Sequence, residues 1–251
     1  MNAFLIGLQF LTRVKLVRQE VWEDRDFGAS VAWFPLVGLV IGGLLCAVYA
    51  VGKNHLPLLL LAVLLVIAEF LITGGLHADG LMDTCDGYFS GRSQERCLEI
   101  MKDSRVGSNG VVGFVFLVLL KVAAFYSLWQ NDMYLALLTL PIISRWLMTY
   151  TIVRFPYARP TGIGKAFAAY APSYALTLAT VLVLLPLAVF TIKYAVLLVV
   201  GFLWMQWVNR SFVRKLGGVT GDTYGAMSET AELIMLLFIV IMENWPVWHT
   251  W

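Results

Sequence analysis

Between His77 and Gly87 the chain reads HADGLMDTCDG, placing Asp79, Asp83 and Asp86 at i, i+4 and i+7. On a helix that spacing stacks three carboxylates on one face. Like charges so spaced cost an isolated helix about 0.2–0.5 kcal/mol per pair in water, and near a membrane they drive one another's pKa upward. A hard divalent cation relieves the repulsion. Magnesium suits the role, because it is held by one or two carboxylates together with substrate phosphates rather than by a full protein cage. Gly80 and Gly87 leave room for a ligand or a neighbouring backbone. The competing reading is a solvated acidic helix end, favoured by the helix dipole. Acid is scarce in this chain, and the cluster follows an apolar run without a linker, so the cation is the better reading.

Downstream, SGRSQERCLEIMKDSRVGSNG adds Arg92, Arg96, Lys102 and Arg105, the donors a phosphate needs and carboxylates cannot supply. Glu99 and Asp103 repeat the i, i+4 spacing and could face the first cluster across a helical hairpin. Alone, Glu95, Glu99 and Asp103 interleaved with Arg96 and Lys102 also read as a salt-bridged surface helix. His77 is either a general base beside the cation or a helix-end hydrogen-bonding group. Asp222 and Glu229 flank the start of the last apolar run, with Glu229 and Glu232 about one turn apart. Carboxylates at that depth are functional by default. RFPYARPTGIGKAF offers Arg154, Arg159 and Lys165, as a wall for an anionic ligand or as an ordinary basic loop.

Carboxylates, magnesium and arginines around a phosphate suggest phosphoryl-group transfer by positioning and charge neutralisation. TGIGKAF lacks the distal glycine and the hydroxyl residue of a Walker A loop. No G-x-G-x-x-G, H-E-x-x-H or G-x-S-x-G is present. Cys85 has no adjacent base and reads as a buried structural thiol.

The elements that position these groups are membrane helices. Of 251 residues 60% are hydrophobic and 14% charged, against roughly 25% charged in a soluble protein, and mean hydropathy is +0.79. Continuous rather than alternating apolar runs exclude a β-barrel. Seven spans are expected, at Val31–Gly52, Leu56–Gly75, Val111–Trp129, Met133–Val153, Tyr174–Ile192, Tyr194–Val208 and Tyr224–Met242. The chain is read as all-α, one integral membrane catalytic domain over residues 1–251, with residues 1–29 an interfacial N-terminal segment.

Fourteen of the eighteen Lys and Arg residues then fall on one side, which predicts a cytoplasmic N-terminus and an outer C-terminus. The outer connections keep Lys53 and Lys193. Residues 77–108, 154–171 and 210–223 share the basic, cytoplasmic side and hold nearly all the unusual chemistry. Glu69, Lys121 and Arg145, inside spans, are expected as ion pairs in the bundle interior. Gly38 and Gly42 have the spacing that lets helices approach closely, and Trp245, Trp248 and Trp251 read as an outer aromatic belt. Neither a basic run nor an RNA-type aromatic motif occurs, so no nucleic-acid partner is expected.

TGGLHADGLMDTCDG, GRSQERCLEIMKDSRVGSNGV, FPYAR with GIGKAF, and GGVTGDTYGA resemble, in order and across nearly the whole chain, the cobalamin synthase (adenosylcobinamide-GDP ribazoletransferase) family. LQFLTR and FPLVGLVIG near the N-terminus fit as well. The resemblance implies a magnesium-dependent bacterial inner-membrane enzyme. Such an enzyme joins adenosylcobinamide-GDP to α-ribazole, or to α-ribazole 5′-phosphate, and releases GMP. It implies metal ligands at Asp79, Asp83, Asp86 and Asp103, and catalytic roles for His77, Asp83, Asp86 and Asp103. Arg92, Lys102, Arg105, Arg159 and Asp222 are then the substrate-binding set. Self-association into a homo-oligomer stays open.

A wider likeness to CDP-alcohol phosphotransferases is partial. Asp83-x-x-Asp86-Gly87 and Glu99-x-x-x-Asp103 fit, but the Ala-Arg step is missing and Glu95 stands at a glycine position. A secondary transporter is the alternative of another class. It is disfavoured by polar segments crowded on one surface and by the lack of an internal repeat.

Overall fold

The computed structural model describes residues 2–17, 23–128 and 130–243. Arg18, Trp129 and the tail tryptophans Trp245, Trp248 and Trp251 lie outside the described residues. The chain opens with α1 (Ala3–Leu11), capped by the Asn2 side chain, which accepts from the Phe4 N–H at 3.0 Å. Helix α2 (Asp24–Ser30) passes through a 3-10 turn, Val31–Trp33, into α3 (Phe34–Gly52). There follow α4 (Leu58–Thr73), α5 (Leu76–Tyr88), α6 (Gln94–Ile100), α7 (Ser108–Ser127) and α8 (Gln130–Arg154). The chain continues through α9 (Ile163–Tyr170), α10 (Ala175–Leu184), α11 (Leu187–Leu216) and α12 (Gly221–Glu243). Among the described residues strand pairing is limited to one isolated bridge, Tyr157 with Val219.

Among the described residues five helices are long and apolar enough to cross a membrane, or up to seven if each of two bent pairs is one span. That matches the expected bundle, with three adjustments. The expected sixth span, Tyr194–Val208, is only the middle of α11, which takes in the end of the expected fifth span and Lys193 of the expected outer connection, and runs on to Leu216. Its last turn carries Arg214 and Lys215, where cations suit the negative end of the helix dipole, and it stops at Gly217 with φ 75°. The stretch 210–223, expected as a polar connection, is thus mostly helix, from the end of α11 and the start of α12. The N-terminal segment does more than lie on a surface, since α1 buries Ile6, Leu8 and Leu11 and packs against α2 and α3. The third adjustment, at the end of α4, shapes the candidate site and is described with it.

The densest seam joins α3 to α8. A Cβ on Gly38 would run into the backbone of Pro141 and Ile142, and one on Gly42 into that of Leu137 and Leu138. The glycine pair acts in packing, as its spacing suggests. Pro141 has no N–H, so the Leu137 carbonyl loses its helical partner, and this oxygen is the group facing Gly42.

Candidate functional site

Gly74 and Gly75 both take positive φ, 68° and 72°, a region that side-chain-bearing residues avoid. The chain therefore turns 93° between α4 and α5. The apolar run and the acidic cluster, expected to be continuous, meet instead at a corner. Arg13 lies over it. Its backbone N–H donates to the Ile72 carbonyl at 2.7 Å, and its guanidinium donates to the Gly74 carbonyl at 3.5 Å.

Helix α5 then packs across the start of α12. A Cβ on Gly80 would come within 2.7 Å of the Asp222 carbonyl oxygen, and one on Gly225 within 2.9 Å of the His77 Cα. Bare backbone at this crossing brings Asp79 and Asp83 up to Asp222. The first turn of α12 is fixed by reciprocal capping: Thr220 N–H donates to Thr223 Oγ1 at 2.7 Å and Thr223 N–H to Thr220 Oγ1 at 3.2 Å. The Ala158 N–H donates to the Val219 carbonyl and the Val219 N–H to the Pro156 carbonyl, both at 2.8 Å. That clamp delivers Arg159 to Asp222, with 2.8 Å between guanidinium and carboxylate. Beside it, burial raises the Tyr157 phenol above its usual range, opposed by a hydrogen bond with the Gly221 backbone.

The three α5 aspartates separate in role. Asp83 is crowded by the charges of Asp222, Asp79 and Asp86, with Arg159 as the opposing charge. Neither the Asp79 nor the Asp83 side chain has a hydrogen-bond or ion-pair partner among the described residues. Asp86 turns aside and accepts from Gly107 N–H at 2.7 Å and Gly110 N–H at 2.8 Å, closing the start of α7. Each Asp86 oxygen keeps a further lone pair, so these two backbone donors are compatible with its expected place among the metal ligands.

Asp103 departs from expectation. Helix α6 ends at Ile100, so Glu99 and Asp103 share no helical face. Glu99 pairs with Arg96 and Asp103 with Arg105, each at 2.7 Å. Hydrogen bonds from Arg105 hold the Asp103 carboxyl down at about 2. The second acidic pair is in fact two local ion pairs. Arg92 and Lys102 are exposed on the same stretch. The group that the fold brings to Asp79 and Asp83 is Asp222, from the far end of the sequence. These three offer oxygen donors only, the chemistry of a hard cation site, with the three carboxylates spread more widely than 4.8 Å.

The charges inside the bundle converge too. Lys121 Nζ lies 2.7 Å from Glu69, 2.7 Å from Glu229 and 3.4 Å from Glu232. Arg145 pairs with Glu232, which also accepts from Ser144 Oγ at 2.6 Å. Among the described residues these three glutamates are the acidic donors that approach within 4.8 Å of one another, and the lysine ammonium already serves them as cation. The expected ion pairs of Glu69, Lys121 and Arg145 are thus one buried network, and Glu229 and Glu232 belong to it. It ties α4, α7, α8 and α12 together. Through Arg145 Nη2, 3.2 Å from His77 Nδ1, it reaches α5.

That contact sets the His77 tautomer. Arginine only donates, so Nδ1 accepts and the ring proton sits on Nε2, a buried atom with no partner among the described residues. Of its two expected readings, base or hydrogen-bonding group, the geometry favours the second.

Asp79 stands between two cavities. One, of about 620 Å³, opens beside the α4–α5 corner and is lined by Gln9, Arg13, Lys15 and Met82. The other, of about 140 Å³, lies among α1, α5, α8, α9 and the start of α12, with Ile152, Met148 and Tyr224 in its wall. Phe10 and Phe34 meet Phe167 edge-to-face there, with ring centroids 5.0 and 5.6 Å apart. Sequence reasoning passed over Arg13, Lys15, Phe10 and Phe167. Their one signal was a place inside LQFLTRVK and GIGKAF, which residue chemistry alone does not mark.

Residues 3–240 match the family described as cobalamin-5-phosphate synthase. Curated proteins similar to this chain include the adenosylcobinamide-GDP ribazoletransferase of Clostridium novyi (strain NT), 36% identical over 97% of this chain and 98% of that protein. The protein of the same name from Alkaliphilus metalliredigens (strain QYMF) is 37% identical, covering 97% of each chain. The one from Desulforamulus reducens is 40% identical over 97% of this chain and 98% of its own. No solved structure matches.

Proposed function

The chain belongs to the cobalamin-5-phosphate synthase family, and on that footing we propose that it joins adenosylcobinamide-GDP to α-ribazole, or to α-ribazole 5′-phosphate, releasing GMP. The observation that supports this best is the position of the unpaired Asp79 between two unlike cavities. The larger suits the bulky, anionic partner, with Arg13 and Lys15 in its wall. The smaller suits a compact apolar one.

In the proposed reaction the ribose 5′-oxygen of the acceptor forms a bond to the phosphorus that carries cobinamide. The phosphoanhydride bond to the GMP oxygen breaks, and GMP leaves with the electron pair. Asp79 or Asp83 takes the hydroxyl proton, being the carboxylates without a partner. Arg159, held by Asp222, faces the phosphates. Asp79, Asp83 and Asp222 would hold magnesium, which when bound neutralises charge on the pyrophosphate. The positive-inside bias supports a site on the cytoplasmic side of the bacterial inner membrane, with the N-terminus inside.

The test is direct. Purified protein with GDP-cobinamide and α-ribazole should form the joined corrinoid and GMP in equal amounts, only with magnesium. Asp83→Asn should lower the rate by about 100-fold or more while the protein still inserts and purifies. Undiminished activity in that variant would remove Asp83 from the chemistry. Turnover of a CDP-linked donor in place of the GDP-linked one would favour a CDP-alcohol phosphotransferase instead.

A further inference from the structure

The connection that leaves α1, residues 12–17, is braced from both sides. Thr12 Oγ1 donates to the Leu8 carbonyl at 2.6 Å and accepts from the Val14 N–H at 3.1 Å. Gln9 Oε1 accepts from the N–H groups of Leu16 and Val17, at 3.0 and 2.8 Å. The Arg13 N–H is held by the Ile72 carbonyl. Side chains on this braced backbone alternate as they do along a strand. Val14 packs against the core, whereas Arg13 and Lys15 line the cavity of about 620 Å³.

Neither cation has an ion-pair partner among the described residues. The Arg13 guanidinium keeps only its long contact with the Gly74 carbonyl, and it lies where a Cβ on Gly74 would strike it. The positive-inside rule asks only for charge near the membrane surface. It asks neither for a braced backbone nor for bare glycine beneath a guanidinium. Two fixed, unpaired cations in one cavity wall form a seat for an anion with two charges.

Resting on the transferase reading above, we propose that Arg13 and Lys15 hold the phosphate of the departing GMP. The phosphate next to guanosine carries one negative charge within the diphosphate link. It carries two once that link breaks and the electron pair stays with GMP. A seat with two cations therefore favours the transition state over the bound donor, which is the condition for acceleration. Arg159 is tied to Asp222, which lines the smaller cavity, and Asp79 lines both. The diphosphate thus gains cations from either cavity. A volume of about 620 Å³ falls within the about 300–1,000 Å³ of sites that enclose a molecule of this size. Phe70 and Phe114, with ring centroids 5.5 Å apart, give the cavity an apolar side for the face of the purine. Two other sources offer phosphate oxygens to such a seat: the acceptor when it is α-ribazole 5′-phosphate, and the headgroup of an anionic lipid.

Initial rates of the purified full chain in neutral detergent, with GMP or guanosine added as inhibitor, separate these sources. Wild-type protein should bind GMP about tenfold or more tightly than guanosine. Arg13→Gln should erase most of that difference. With α-ribazole as acceptor it should also lower kcat/KM for GDP-cobinamide by about tenfold or more, leaving KM for α-ribazole unchanged. Arg13→Lys, which keeps the charge, should recover much of the loss, and Lys15→Gln should act in the same direction as Arg13→Gln. Equal inhibition by GMP in wild type and Arg13→Gln would overturn the proposal and leave the transferase reading intact. So would a parallel loss of GMP and guanosine binding, the mark of a residue that only braces the corner. A defect seen with α-ribazole 5′-phosphate but not with α-ribazole would assign the seat to the acceptor. One seen only as lost stimulation by added phosphatidylglycerol would assign it to a lipid, and either result overturns the assignment to GMP. Wild-type protein that makes no product from GDP-cobinamide with either acceptor would instead strike the transferase reading itself. If Arg13→Gln does not fold, Lys15→Gln, at an exposed position, decides with the same readouts.

Discussion

Asp79, Asp83 and Asp86 look equivalent as letters at helical spacing, yet each has different company. Asp86 gives both oxygens to backbone N–H groups at the start of α7, whereas Asp79 and Asp83 keep theirs free. A carboxylate closing a helix start is worth about 1–2 kcal/mol. Asp86→Ala should lower the thermal midpoint of the purified protein accordingly, with or without magnesium. Asp83→Asn should leave the midpoint of the magnesium-free protein unchanged or raise it, because one member of a like-charged group is neutralised. If the two variants melt alike, the division of labour drawn from the hydrogen bonds is wrong. The acidic cluster and its helix were legible at this scale, because i, i+4, i+7 spacing is a local property. Which carboxylate also closes a helix start was not, because Gly107 and Gly110 lie more than twenty residues further along the chain.

Helices supply what single residues cannot. Glu69 on α4, Lys121 on α7, Arg145 on α8 and Glu232 on α12 are each a costly intramembrane charge alone, and their cost is offset only when four helices meet. Three carboxylates face two cations, so loss of a cation leaves buried charge without a partner. Lys121→Met should destabilise the protein by about 3–5 kcal/mol, seen as loss of monodisperse material after extraction in mild detergent. Combining it with Glu229→Gln should restore part of the yield. A Lys121→Met protein as stable as wild type would show that the network contributes nothing. The individual charges were visible in the sequence as misfits within apolar runs. Their union was not, since Lys121 is separated from Glu69 by 52 positions and from Glu232 by 111.

At the scale of the molecule, the seven-span reading follows from apolar length, and α11 shows its limit. Hydropathy stops counting at Val208 because Asn209 and Arg210 are polar, but backbone hydrogen bonding carries the helix to Leu216. The proposed orientation can be checked on this scale. In a background lacking Cys46, Cys85 and Cys97, Lys53→Cys should react with a membrane-impermeant maleimide in intact spheroplasts. Arg92→Cys should react only after permeabilisation. The reverse pattern would put the acidic site on the outer face.

The sequence by itself determined a membrane-helix protein with an acidic helix beside a glycine pair, and motif order pointed to its family. These are properties of composition, short-range periodicity and linear order, which need no knowledge of where the chain returns. Only the tertiary structure decided that Asp222 joins Asp79 and Asp83, that Asp86 accepts from Gly107 and Gly110, and that Arg145 reaches His77. Each of those is a contact between segments far apart in the chain, which no local pattern encodes.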